Sequence, residues 1–221
     1  MFSPEINIIS YIRRYDLDKT VEEIEKAFKC EALMSLFKTI DSYVDKAVKA
    51  LEEQGYAIIH DRRLALKTRL VLYFRGFELP WDPYWNVPYL PASMIAEALR
   101  LAAWRIGRQC FSVKDLGTLE EKSPIAVLDA YPIFCPHSHS MIVADYIEEE
   151  GMCELDTPRR LPMLTIATNT VFRFVIVKKE RLSCPEDKLF DELYLALRIA
   201  LRRGIGALLP LGYGIFDVDL N

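Results

Sequence analysis

Between residues 17 and 54, apolar side chains return every three or four positions. Leu33, Leu36, Phe37, Ile40, Tyr43, Val44, Ala47, Val48 and Leu51 form one stripe, and Glu22, Glu23, Glu25, Lys26, Lys38, Asp41, Lys46 and Lys49 mostly fall outside it. This spacing predicts helix, broken near Cys30-Glu31 into two and stopped by Gly55. From 64 to 76 the period falls to two. Leu66, Thr68, Leu70, Leu72 and Phe74 take one face; Lys67, Arg69, Val71, Tyr73 and Arg75 take the other. That predicts a strand with an apolar face and a cationic, partly aromatic face.

Residues 77–90 hold Phe77, Pro80, Trp81, Pro83, Tyr84, Trp85, Pro88 and Tyr89, a stiff aromatic loop. Pro91 then suits a first helical turn, and 92–106 reads as a helix with Ile95, Leu99 and Ala102 inward. Residues 124–131 read as a buried strand. Residues 132–161 lack a clean period and carry His137, His139 and the run Glu148-Glu149-Glu150, so a functional loop or protruding hairpin is expected there. Residues 163–179 alternate through Val171–Val177, as one long strand or a hairpin turning at Thr168-Asn169. A helix over 186–203, with Leu189, Phe190, Leu193, Tyr194, Leu197 and Ala200 inward, and a strand over 213–220 close the chain.

After residue 60 the order is therefore β-α-β-β-α-β. This predicts an α+β, ferredoxin-like (RRM-like) domain over 61–221: an antiparallel sheet with helices 92–106 and 186–203 on one face. Residues 1–60 form a helical N-terminal extension packed on it, and loop 132–161 protrudes. The open face of such a sheet is a common platform for single-stranded RNA.

Charge narrows the partners. The 221 residues carry a formal net charge of −4, so any nucleic-acid contact must use a local basic strip. No apolar run approaches the ~20 residues a bilayer span requires, and Met1-Phe2-Ser3-Pro4-Glu5 has neither a basic nor an apolar leader region, so no signal peptide and no membrane partner are expected. Cys30, Cys110, Cys135, Cys153 and Cys184 are odd in number, scattered and without a CxxC, which suggests reduced thiols in a cytoplasmic protein. His137 and His139 lack a third ligand nearby, so no metal or other cofactor is expected.

The strongest local signal is C-terminal. Arg202-Arg203 end a helix, and Gly204, Gly206, Gly212 and Gly214 follow within eleven residues. The loop has no Lys or Ser and follows a helix, so it is not a Walker loop, and it is not a first βα turn as in dinucleotide folds. Two readings stand: a helix cap with a tight turn, or a backbone cradle for phosphate flanked by arginines.

Four segments together resemble the RAMP superfamily, the RNA-binding proteins of CRISPR systems, and most closely its sixth-subunit branch in the Cmr (type III-B) effector complexes. Pro88-Tyr89-Leu90-Pro91-Ala92-Ser93, with Ala98-Leu99-Arg100, is similar to the opening of that family's first helix. Val127-Leu128-Asp129-Ala130-Tyr131-Pro132 resembles its Asp-Ala-Tyr-Pro strand. Leu161-Pro162-Met163-Leu164-Thr165 with Thr170-Val171-Phe172-Arg173-Phe174 matches a third segment, and Gly204–Gly214 looks like its glycine-rich loop. The matches span about residues 66–218. Met94-Ile95-Ala96-Glu97 and Ala207-Leu208-Leu209-Pro210 stand where the family often has lysine or threonine, which shifts the expected phosphate contact to backbone amides and arginines.

The resemblance implies a non-catalytic, RNA-binding structural subunit of a Cmr ribonucleoprotein in antiviral defence. It would hold the 3′ part of a crRNA and the target RNA beside other RAMP subunits. The residues it implicates are Ser93, Arg100, Arg202, Arg203, Gly204, Gly206, Gly212 and Gly214. Segment 132–161 takes the place of a β-hairpin thumb that wedges into the guide–target duplex. The alternative is a Cas6-like crRNA-processing endoribonuclease, with His60 or His137 as base on a ribose 2′-OH. Asp82 sits where other RAMP backbone subunits place an aspartate for metal-dependent target cleavage, but Trp81, Tyr84 and Trp85 around it suggest packing or docking instead.

Overall fold

The computed structural model describes residues 17–74, 77–107, 110–149, 159–179 and 184–218. In chain order the helices are α1 (Leu17–Ala27), α2 (Cys30–Glu53), α3 (Ala92–Ile106) and α4 (Glu186–Arg203). The strands are β1 (Ala57–Ala65), β2 (Leu70–Phe74), β3 (Phe77–Glu78), β4 (Trp81–Asp82), β5 (Val87–Pro88), β6 (Leu116–Thr118), β7 (Ile125–Val127), β8 (Tyr131–Phe134), β9 (Ile142–Glu149), β10 (Arg159–Ile166) and β11 (Val171–Lys178).

Two antiparallel segments, 57–74 and 159–178, bend at the same level and so divide the β-structure into two sheets. Below the bend β1 pairs with β11, whose other side pairs with β7 and β8; β6 joins β7 in parallel. Above it, four antiparallel strands run β3-β2-β10-β9. Leu66 and Thr170 tie the two bends together, the Leu66 amide donating to the Thr170 carbonyl at 2.9 Å.

This corrects three expectations. The strand foreseen at 64–76 is two strands, β1 and β2, because the chain bends at 66–69. The segment 163–179 is also two strands, β10 and β11, turning at 167–170, where Asn169 adopts φ 64. They do not form a hairpin with each other, since each pairs in a different sheet. At the C-terminus Phe216 makes a single bridge to Leu66 in place of a strand over 213–218. Segment 132–161 holds β8, β9 and the start of β10. Its β9 and β10 pair antiparallel, and residues 150–158 lie outside the described residues.

Both faces of the first sheet are covered. On β11, Phe172, Phe174 and Ile176 share a core with Ile95 and Leu99 of α3 and Leu193 and Leu197 of α4. Val175 and Val177, on the opposite face, pack with Ala126 and with Val44 of α2. A strand buried on both sides needs a nearly continuous apolar run, and Phe172–Val177 supplies one except at Arg173. Helices α3 and α4 thus share a face as expected, but the face expected to lie open for RNA carries α2.

The N-terminal helices are stitched to the segment before β9 by hydrogen bonds to main-chain carbonyls. The Cys30 amide donates to the His139 carbonyl at 3.0 Å, the Met141 amide to Phe28 at 2.8 Å, and the Ser140 hydroxyl to Glu25 at 2.8 Å. A disulfide from Cys30 to Cys135 adds to this, and a second, from Cys110 to Cys184, joins the segment after α3 to the one before α4; the Cα separations are 5.6 and 5.2 Å. The expectation of reduced thiols is corrected for these four, because folding brings together residues 105 and 74 positions apart. Cys153 lies outside the described residues.

Candidate nucleic-acid interface

Helix α4 ends on exposed Arg202 and Arg203, whose charge suits the negative end of the helix. Gly204 then turns the chain at φ 94, its amide donating to the Ala200 carbonyl at 3.0 Å. A Cβ there would come 2.7 Å from the Tyr213 carbonyl oxygen, so only glycine fits. The Ile205 amide reaches back to Gly214 at 2.9 Å and closes the loop on itself. Inside it Leu208 takes a left-handed φ of 56, a short 3-10 turn runs Leu209–Leu211, and Gly212 follows at φ 85. The amides of three consecutive residues, Gly206, Ala207 and Leu208, have no intramolecular acceptor among the described residues. Successive free amides at a positive-φ turn are the backbone element from which anion-binding concavities are built.

The bend at 66–69 packs directly against this loop. The Gly214 amide donates to the Arg69 carbonyl at 2.8 Å, the Lys67 amide to the Ile215 carbonyl at 2.8 Å, and the Ile215 amide to Thr68 Oγ1 at 3.0 Å. The segment that carries Lys67 and Arg69 is therefore bonded to the C-terminal end of the loop, which begins at Arg202 and Arg203. Arg69 is anchored to Asp145 at 3.0 Å and to the Ala144 carbonyl at 3.1 Å; the same Asp145 accepts from the Tyr213 phenol at 3.0 Å. Burial first, and that carboxylate second, push the Tyr213 phenol up to about 12, so it stays a hydrogen-bond donor at neutral pH. Sequence reasoning placed Lys67 and Arg69 on a strand face and not at this loop, because no local signal marks the bend.

Ser93 and Arg100 lie elsewhere, on α3. Ser93 is exposed in the first turn of that helix. Arg100 is held by the protein itself: Nε donates to the Leu116 carbonyl at 2.9 Å, and Nη2 meets Glu121 at 2.9 Å. Its guanidinium fastens the edge strand β6 to α3.

The Asp-Ala-Tyr-Pro segment has a structural explanation. Helix α3 starts at Ala92, and Pro91 at its N-cap position supplies no side-chain cap. Asp129, thirty-seven positions on, accepts the Ala92 amide at 2.7 Å and supplies the missing cap. Tyr131 donates its phenol to Asp82 at 2.8 Å, and the other oxygen of Asp82 accepts the Tyr84 and Trp85 amides at 2.8 and 3.0 Å. The aromatic loop is thus folded around Asp82, whose carboxylate accepts three hydrogen bonds from it and from Tyr131. Among the described residues no group of His, Cys, Asp or Glu is arranged to hold a metal. His60 is 2 % exposed, against Phe190 and Tyr194, while His137 and His139 sit on an exposed turn.

No family model matches the chain. It is 26% identical over 224 aligned positions to the CRISPR system Cmr subunit Cmr6 of Saccharolobus solfataricus, covering 91% of this chain and 74% of that one. Its fold is similar to a chain in the cryo-EM structure of the type III-B Cmr-β complex bound to cognate target RNA. The TM-score is 0.71 at 27% identity, over 95% of this chain and 73% of that chain. The crystal structure of Cmr6 from Pyrococcus furiosus is more distant, with TM-score 0.46 and 14% identity over 73% of this chain and 97% of that one. The resemblance carried by the motifs is borne out: the chain is similar over most of its length to a Cmr6 subunit, and in fold to a chain of a type III-B Cmr complex.

Proposed function

We propose that the chain is a non-catalytic, RNA-binding subunit of a type III-B Cmr effector complex. It holds the 3′ part of the crRNA and the target RNA in the cytoplasm, beside neighbouring RAMP subunits. The observation that carries this reading is the C-terminal loop: three consecutive unspent amides at Gly206–Leu208, between a helix end that carries Arg202 and Arg203 and a bend that carries Lys67 and Arg69. Amides and cations of this kind contact the phosphate backbone, which gives affinity without sequence preference. Similarity to Cmr6 and to a chain of a target-RNA-bound Cmr complex supports it.

The first sheet reads as ferredoxin-like. Its order, with the Phe216 bridge at one edge, then β1, β11 and the broken strand β7–β8, supports reading it as a split βαβ fold with an added parallel strand β6. With one face taken by α3 and α4 and the other by α2, RNA is held at the loop end of the sheet.

The endonuclease alternative gains no support. A base acting on a ribose 2′-OH must reach it, and His60 is enclosed. The test is crosslinking in the assembled complex with photoreactive nucleotides along crRNA and target. The reading expects adducts at the 204–214 loop; adducts confined to other surfaces would overturn it. Cleavage of labelled RNA by the purified chain, abolished by His137→Ala, would restore the alternative.

A further inference from the structure

A cleft of about 550 Å³ lies between α2 and the start of α3, lined among others by Tyr43, Tyr89, Ser93, Glu120, Asp129 and Tyr131. A second recess of 360 Å³ shares Tyr43 and Tyr131 with it and adds Asp82, Tyr84 and Trp85. The walls are aromatic. Tyr89 lies on Tyr131 with ring centroids 5.4 Å apart and planes at 19°, and Tyr43, 52% exposed, meets the edge of Trp85 at 5.6 Å.

The charge in this cleft is negative. Glu121 is paired with Arg100, but Asp82, Glu120 and Asp129 have no cationic partner among the described residues. Burial pushes the Asp129 carboxyl up, against the pull of the Ala92 amide, and Glu120 and Asp82 push it further. Burial and the same carboxylates raise the Tyr89 phenol. A phosphate is repelled here. A flat cation that stacks on tyrosine and pairs with a carboxylate is attracted from both sides, and guanidinium has that shape. The volume exceeds what a bare ion needs and suits a side chain with its flanking backbone.

We propose that this cleft docks an arginine presented by a protein partner, its guanidinium against the Tyr43 and Tyr89–Tyr131 rings and paired with Asp129. The proposal rests on the reading of this chain as a subunit of a larger assembly, but not on its RNA contacts. The cleft and the glycine loop share no residue, and carboxylates line the one while arginines lead into the other.

The test uses the full chain with ¹³C-labelled tyrosine, titrated with acetyl-Gly-Arg-Gly-amide and observed by NMR. Saturable shifts at Tyr43, Tyr89 and Tyr131 are expected, with the citrulline analogue at least roughly tenfold weaker because it keeps the shape and loses the charge. Asp129→Asn, which retains an acceptor for the Ala92 amide, and Glu120→Gln on the exposed rim should each weaken binding about threefold or more. Equal binding of the citrulline peptide, or no saturable shift at these tyrosines, overturns the proposal. Stronger perturbation of the same rings by uridine 5′-monophosphate also overturns it and makes the cleft a nucleobase site. Because the readout is tyrosine shift without RNA, its failure is separate from failure of the crosslinking at 204–214.

Discussion

Arg173 grips Asp61 with two parallel hydrogen bonds, Nε to Oδ1 at 2.8 Å and Nη2 to Oδ2 at 2.6 Å. Its remaining nitrogen reaches Asp41 at 2.8 Å and Asp45 at 2.6 Å, both on α2. A guanidinium 4% exposed in the middle of β11 thus joins the sheet to the helix that covers it. Arg63 adds a second bond to Asp41 at 2.9 Å. This cluster interrupts the apolar run of β11, and it holds closed the face that would otherwise be free.

Removing that guanidinium leaves the carboxylates of Asp41, Asp45 and Asp61 facing each other across a partly exposed seam. Arg173→Ala should destabilise the protein by about 3 kcal/mol, the low end of the range for breaking a buried ion pair from one side, because water reaches the carboxylates left behind. Arg173→Lys should rescue little, since an ammonium cannot bond Asp61 through two parallel donors while reaching α2. Asp45→Asn should cost less than about 1 kcal/mol, because the Asp45 side chain is 62% exposed. Urea unfolding at neutral pH separates the three; equal losses would show that the cluster is not the fastening.

His60 sets an acid limit. Burial first, and Arg62 second, lower its pKa from 6.5 to about 4; the Phe190 carbonyl offsets little of this, and neither ring nitrogen makes a well-formed hydrogen bond. The unfolded chain therefore binds the proton more readily than the folded one. The stability contributed is whole above pH 6.5 and is lost as pH falls towards 4, by roughly 3 kcal/mol in total. Urea unfolding at pH 7.5 and 5 should differ by about 2 kcal/mol of this, since pH 5 lies within the window, and His60→Phe should flatten the part of the slope between pH 6.5 and 4.

Both disulfides should be detectable chemically. Four of the five cysteines are paired, so the denatured, unreduced chain should show one titratable thiol. The Cys30–Cys135 bond spans 105 positions, for which chain entropy gives a stabilisation of about 4–5 kcal/mol. Reduction should lower the melting temperature, and Cys30→Ala with Cys135→Ala should reproduce most of the drop. Five titratable thiols would refute the pairing. Intracellular proteins of hyperthermophiles are known to keep such bonds, so the pairing does not by itself place the protein outside the cell.

At the C-terminal loop the glycines separate folding from RNA contact. Gly214→Ala drives a methyl into the Ile205 carbonyl and should not fold, and Gly206→Ala meets Leu70 Cδ1 at 2.8 Å. Gly212 has open space beside it, so Gly212→Ala carries only the cost of its φ of 85, roughly 1 kcal/mol. Arg202→Ala and Arg203→Ala should each lower the salt dependence of RNA affinity in the assembled complex by about one unit, as one lost phosphate contact requires. A slope that does not move while the melting temperature falls would make the arginines helix-end residues only.

The sequence by itself determined the elements with a sustained period. The stripe from Leu33 to Leu51, the helices 92–106 and 186–203, and the apolar run to Val177 each bury a face whose spacing is local, so the helices lie where the period put them. The glycines at 204, 206, 212 and 214 were equally legible, since positive φ at all four leaves a mark in composition.

Tertiary structure decided what depends on residues far apart in the chain. The bends at 66–69 and 167–170 send each long segment into two sheets, and only pairing across them reveals it. Asp129 caps a helix that begins thirty-seven residues earlier, and Arg173 finds its partners 112 to 132 positions away. Cys30 meets Cys135 only once α1 and α2 are laid against the strands. The same holds for the basic rim. Lys67 and Arg69 alternate as strand residues in sequence, and they reach the glycine loop because the backbone of 214–215 hydrogen-bonds to the bend that carries them. Periodicity reports which face a residue takes on its own element. Which element arrives to cover that face is set by long-range pairing energies that leave no local period.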